Sequence, residues 1–196
     1  MYRVLTFTPK ESFGSNTYYV TDGSAAFIVD PSVPVAQVKQ ELGADFIPPA
    51  MILLTHGHFD HVETLPEWYA AFSPSVYIGE ADAPMLSDAY LNAYRFFYGA
   101  DRTYFVPHKT CREGDEIPFG KARISVLSFP GHTPGGTVYR LSDMAFVGDL
   151  IFAGGGYGRF DLPGGDYAAL VESLRRAQKR LADIVLYPGH GESFEI

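Results

Sequence analysis

Ala50-Met51-Ile52-Leu53-Leu54-Thr55-His56-Gly57-His58-Phe59-Asp60-His61 is the stretch on which the reading of this chain turns. Its first five residues form an unbroken apolar run, as expected of a short strand buried on both faces. The run leads through Thr55 into three imidazoles and a carboxylate within six positions: His56, His58, Asp60 and His61. All four are good ligands for a divalent metal of borderline hardness. A buried strand that empties into such a cluster sets it on a loop at the sheet's carboxyl edge, where layered α/β proteins commonly bind ligands. A histidine-rich surface turn is a poor explanation of this spacing, so the cluster is read as a metal site.

Upstream, Tyr2 to Thr8, Asn16 to Thr21 and Ala25 to Asp30 read as strands punctuated by Gly14, Gly23 and Pro31. Val35 to Leu42 reads as a short helix stopped by Gly43. Downstream, a helix is expected from about Val62 to Phe72 and a strand from Val76 to Gly79. Asp82 to Tyr98 carries Leu86, Tyr90, Tyr94 and Phe97 near helical spacing, a stripe read first as core and otherwise as a pocket wall or dimer face. Strands return at Arg123 to Phe129, Gly136 to Leu141 and Met144 to Val147. A long amphipathic helix over about Asp166 to Ala182 and a buried strand, Ile184 to Tyr187, complete the order. A β-rich half with a helix is thus followed by another, without a linker, which fits one domain over residues 1–196.

Three further polar residues share the context of the first cluster, the end of an apolar strand inside a Gly/Pro turn. They are His132 in Pro130-Gly131-His132-Thr133-Pro134-Gly135, Asp149 in Phe146-Val147-Gly148-Asp149, and His190 in Tyr187-Pro188-Gly189-His190-Gly191. Each alone is a weak signal. Together with the first cluster they make five His and two Asp presented alike, leaving only His108 outside the pattern, as a surface residue.

Composition narrows the partners. A net charge of −8 with no basic run argues against nucleic acid and against anionic membrane. The N-terminus lacks the features of a signal peptide, and no apolar run approaches a membrane span. A single cysteine, Cys111, excludes an internal disulfide framework and suits a reducing cytoplasm; it is read as core or surface filler.

The seven strand-end residues resemble the ligand set of the metallo-β-lactamase-fold hydrolase superfamily, which runs His-x-His-x-Asp-His, then His, Asp and His. Within it the chain is most similar to bacterial glyoxalase II-like (hydroxyacylglutathione hydrolase-like) proteins. Thr55 to His61, Pro130 to Gly135, Gly148-Asp149-Leu150-Ile151-Phe152, Gly158-Arg159-Phe160-Asp161-Leu162-Pro163-Gly164-Gly165 and Tyr187 to Gly191 carry that likeness. The resemblance implies an α/β fold, a four-layer αββα sandwich of two mixed β-sheets flanked by helices. It also implies two divalent ions, with zinc expected and iron or manganese as alternatives. His56, His58 and His132 would hold the first, Asp60, His61 and His190 the second, with Asp149 bridging. Seven protein ligands are indeed too many for one zinc, which usually takes four.

What the resemblance implies for function is thioester hydrolysis by attack of a metal-bridging hydroxide, oriented by Asp60. S-acylglutathione or a similar small thioester would be the substrate, and the protein cytoplasmic. A mononuclear-iron persulfide dioxygenase, which shares the Gly-Arg-x-Asp loop, and a lactone hydrolase are the alternatives. A class B β-lactamase lacks the bridging aspartate, and a nuclease fits the charge poorly. A metal-stabilised binding module would be expected to have lost a ligand. Substrate contacts are expected from Tyr157, Arg159 and Phe160, where Arg159 takes either a substrate carboxylate or Asp161. Asp161 stands where the glutathione-binding tyrosine of that subfamily would be. The chain ends at Ile196, six residues past His190, so no C-terminal helical glutathione-binding domain is expected. A homodimer is open.

Overall fold

The computed structural model describes residues 2–9 and 14–196. Among the described residues the strands form two six-stranded mixed sheets. The first is built from β1 (Arg3–Phe7), β2 (Thr17–Thr21), β3 (Ala26–Val29), β4 (Pro49–Leu54), β5 (Ser75–Gly79) and β6 (Lys109–Cys111), in that order. Its first three strands pair antiparallel and the remainder parallel. The second runs β7 (Glu116–Phe119), β8 (Ala122–Ser128), β9 (Thr137–Leu141), β10 (Met144–Gly148), β11 (Val185–Pro188) and β12 (Phe194–Glu195), with β10 and β11 parallel. Helices α1 (Val35–Leu42), α2 (Phe59–Val62), α3 (Leu65–Phe72), α4 (Tyr94–Tyr98) and α5 (Tyr167–Arg180) complete the fold.

Strand alternation sorts the side chains into layers. Along β4, Met51 and Leu53 join the core between the sheets, while Ile52 and Leu54 join the core under α1 and α3. In β2 and β3, Tyr18, Val20, Phe27 and Val29 face inward, whereas Tyr19, Ala26 and Ile28 face those helices. Across the molecule, Phe146 of β10 faces the first sheet, while Ala145 and Val147 pack with Leu170 and Ala177 of α5. Burial on both faces is why β4 reads as a continuous apolar run. Helices therefore flank both sheets, the expected α/β architecture. Cys111 is buried in the inter-sheet core, and no helix among the described residues is long and apolar enough to cross a membrane.

Two expectations are corrected. The helix expected from Val62 to Phe72 is two pieces, because Thr64 leaves helical geometry and donates its hydroxyl to the carbonyls of Pro31 and Val33. Pro66 then opens α3, and in a continuous helix its ring would clash with the carbonyl of Val62. The stripe from Asp82 to Tyr98 is likewise not one helix. A 3-10 segment, Glu80–Ser87, contains Pro84, and Asp88 and Asn92 capture the backbone amides of Tyr90 and Tyr94 with their side chains. Ala93 then takes a left-handed φ of 65° and α4 follows. Leu86 is core, but Tyr90 is 52% exposed.

Candidate metal centre

All seven strand-end residues meet at one edge of the paired sheets. His56, His58, Asp60 and His61 follow β4, His132 follows β8, Asp149 follows β10 and His190 follows β11. Their donor atoms fall into overlapping groups: His56, His58 and His132; His56, His61 and Asp149; Asp60, His61 and His190. Glycines permit the close approach. Any Cβ on Gly189 would strike Asp149 Oδ1 and the His61 ring, and Gly148 takes a left-handed φ of 52° against Thr55.

Hydrogen bonds choose the tautomers. His132 Nδ1–H donates to the Arg159 carbonyl at 2.5 Å, and His61 Nδ1–H donates to Asp30 Oδ2 at 2.9 Å. Both therefore turn an Nε2 lone pair to the centre. The Thr55 hydroxyl donates to Asp30 Oδ2 at 2.6 Å and lies 3.2 Å from His56 Nδ1, so His56 also offers Nε2 inward. His132 Nε2 then sits 2.9 Å from His58 Nδ1 and 3.2 Å from His56 Nε2. A tetrahedral ion bound at about 2.0–2.1 Å would space such nitrogens about 3.3 Å apart, close to what is found.

The second group is richer in acid. Asp149 Oδ1 lies 3.3 Å from His61 Nε2, and its Oδ2 lies 3.6 Å from both His132 Nε2 and His190 Nε2. Asp60 Oδ2 is 3.3 Å from His190 Nε2 and 3.7 Å from His61 Nε2. His61 Nε2 and Asp149 Oδ1 are buried and have no hydrogen-bond partner, although they face each other. Buried polar atoms are rarely left so, and a cation between them would satisfy both.

Charge divides the site in the same way. Burial, helped by neighbouring imidazoles, holds His56 and His58 well below the usual histidine range. Burial also lowers His132 against the pull of Asp149. These three stay neutral, as metal ligands must. Burial opposes a proton on His61, but Asp60, Asp149 and Asp30 outweigh it and raise that histidine. Burial would also raise the Asp149 carboxyl, yet His61, His132 and His190 hold it well below the carboxylate range. That field favours positive charge, whether protons or a divalent ion.

Two carboxylates to which the sequence assigned no role support the ligands. Asp30 accepts from Thr55 N, Thr55 Oγ1 and His61 Nδ1, at 2.8, 2.6 and 2.9 Å. It closes a buried strand before a proline, much as Asp149 does before its loop, and that likeness was a usable signal. Asp82, wholly buried, accepts Thr133 Oγ1 at 2.7 Å and Gly135 N at 2.6 Å, and also the Gly57 amide. It thereby ties the first ligand loop to the His132 loop, and nothing local in the sequence marks it. Ser15 and Asn16 do similar work, bonding Asp60 O on one side and the carbonyls of Pro188, Gly189 and Gly191 on the other.

Burial raises the Asp82 carboxyl to about 6. The folded state therefore keeps its proton between about pH 4 and 6, where the unfolded chain has lost it, so this residue's contribution to stability falls as pH rises through that window. Relative to Asp82→Asn, which does not titrate, the wild type is expected to lose about 2 kcal/mol between pH 4 and 7. Urea unfolding of both proteins across that range checks the sign; a difference that is flat or rises with pH contradicts it.

Among the expected substrate residues, Arg159 is held by Asp161, with Nε and Nη2 donating at 2.6 and 2.8 Å. Of the two partners left open, the structure gives it the internal one. Tyr157 is exposed, and Phe160 packs on Tyr167 at 4.8 Å. Gly158, between Tyr157 and Arg159, lies against His132 and Asp149, so this loop forms part of the wall of the centre.

Residues 12–190 match the metallo-beta-lactamase superfamily model. The chain is 32% identical to the probable metallo-hydrolase YqgX of Bacillus subtilis, covering 93% of this chain and 87% of that one. It is 30% identical to the hydroxyacylglutathione hydrolase GloC of Haemophilus influenzae, covering 93% and 88%. Among solved structures, TTHA1623 in a di-iron-bound form superposes with a TM-score of 0.85 at 32% identity, over 98% of this chain and 94% of that one. The B3 metallo-beta-lactamase BLEG-1 superposes with a TM-score of 0.87 at 29% identity, over 99% and 93%.

Proposed function

The chain belongs to the metallo-beta-lactamase superfamily, and on that premise we propose that it is a dinuclear thioester hydrolase of glyoxalase II type. The observation that carries the reading is Asp149, whose two oxygens face different histidines, Oδ1 toward His61 and Oδ2 toward His132 and His190. A carboxylate so placed suits two ions rather than one. His56, His58 and His132 would hold one and Asp60, His61 and His190 the other, with zinc the expected metal; the di-iron form of TTHA1623 makes iron the alternative to test. Such ions would bring the pKa of water toward neutrality and polarise a carbonyl oxygen.

The chain's own residues do the rest. Asp30 and the Arg159 carbonyl fix the His61 and His132 tautomers, and Asp60, partly open to solvent, orients the attacking water. Water adds to the thioester carbonyl, the C–S bond breaks, and a carboxylic acid and a thiol leave. A thiol departs readily, since its pKa is only about 8.5, and no further protein acid is required. The likeness to GloC supports the thioester, while the likeness to BLEG-1 makes a β-lactam the rival substrate to include.

Metal analysis beside a screen of S-lactoylglutathione, neutral thioesters, lactones, a β-lactam and glutathione persulfide tests the reading. Two ions per chain with thioester turnover is the expected result. One iron per chain with oxygen uptake on the persulfide overturns it, as does lactone or β-lactam turnover without thioester turnover.

A further inference from the structure

Beside the metal centre lies a group of aromatic side chains in water. Phe96 is 58% exposed and Phe97 40%, on the short helix α4, and Tyr157 and Phe160 are exposed on the facing loop. Single exposed aromatics are ordinary, but several gathered beside a site mark a binding surface. Arg159 joins the two sides. Its guanidinium carbon stands 5.8 Å from the Phe96 ring centre and 5.6 Å from that of Phe97, while its edge is taken by Asp161.

Two links tie the patch to the ligand loops. Phe97 packs 5.5 Å from Phe59, which sits between His58 and Asp60 in the chain. The Arg159 carbonyl accepts from His132 Nδ1. The patch also offers little to an anion. Arg95 of α4 is paired bidentately with Asp101, Arg102 with Glu63, and Arg159 with Asp161. The polar groups of a carrier such as glutathione, with its two carboxylates, find no unpaired arginine among these three.

We propose that Phe96, Phe97 and the paired Arg159 receive an apolar acyl group of the substrate, so that the preferred thioesters carry medium-length alkyl or aryl acyl chains rather than a small hydroxyacyl group. This rests on the thioester reading above. A chain laid along half-covered aromatic rings gains about half the burial free energy of each methylene, or about twofold in affinity per methylene.

The test is calorimetric binding of non-hydrolysable thioethers to the metal-loaded protein, comparing S-butyl and S-octyl N-acetylcysteamine and S-octylglutathione. Roughly 15-fold tighter binding of octyl over butyl is expected, with glutathione adding less than threefold. The double variant Phe96→Ser/Phe97→Ser should flatten the butyl-to-octyl ratio to below threefold; should that variant not fold, Phe96→Ser alone should at least halve the ratio. Affinity independent of alkyl length overturns the proposal, as does affinity that follows glutathione. A dimer in sedimentation whose dissociation is needed to expose Phe96 overturns it too, since a second copy would then be the occupant. Thioesters hydrolysed without chain-length preference sink this inference alone. Octyl binding without hydrolysis of any thioester sinks the reaction and leaves the aromatic binding surface.

Discussion

Asp149→Asn is expected to lower hydrolysis about 10³-fold or more and to reduce bound metal from two ions per chain toward one. The amide keeps the shape of the side chain but loses its charge and one of two acceptor oxygens. In the wild type those oxygens lie 3.3 Å from His61 Nε2 and 3.6 Å from both His132 Nε2 and His190 Nε2. No single oxygen can serve both groups. Kinetics with the best thioester and elemental analysis after dialysis provide the two readouts. Two ions retained, with turnover within threefold of wild type, would remove Asp149 from its shared role.

The second large effect belongs to Asp30. Asp30→Ala strands three buried donors, Thr55 N–H, Thr55 O–H and His61 Nδ1–H, and forces alanine to keep a φ of 51°. A loss of about 3 kcal/mol or more is expected, read as a fall in melting temperature of about 6–12 °C for a chain of this size. Asp30→Asn separates folding from orientation. Asparagine tolerates left-handed backbone, so most of the stability should return. Its amide, however, cannot accept every donor that the carboxylate accepts, and His61 is free to change tautomer. Metal affinity should therefore remain 10- to 100-fold weaker. Wild-type metal affinity in Asp30→Asn would show that Asp30 supports only the fold.

Much of this centre was legible because ligand chemistry is carried by residue type, and strand ends are announced by apolar runs meeting glycine and proline. His56 to His61 and His190 each follow such a run, and the structure sets each at the end of its strand. Helix α1 was equally legible: its apolar positions are at helical spacing and Gly43 ends it. The Asp82 to Tyr98 stripe misled because periodicity says nothing of competition. Pro84, Asp88 and Asn92 each take or remove backbone hydrogen bonds that a helix needs, so Tyr94 packs against the core while Tyr90, Phe96, Phe97 and Tyr98 are left exposed.

By itself, then, the sequence determined which atoms could bind a metal, that they would gather at strand ends, and that two apolar faces per strand would build a layered α/β fold. The tertiary structure alone decided how those atoms are used. His132 reaches His56 from 76 positions away, and its tautomer is chosen by the carbonyl of Arg159. Asp30 and Asp82 became supports of the ligand loops only because packing left them buried beside unpaired donors. Arg159 could have met a substrate carboxylate or Asp161, and two short hydrogen bonds settled it. Such choices belong to long-range contacts and to the scarcity of hydrogen-bond partners in a dry interior, neither of which residue order along the chain expresses.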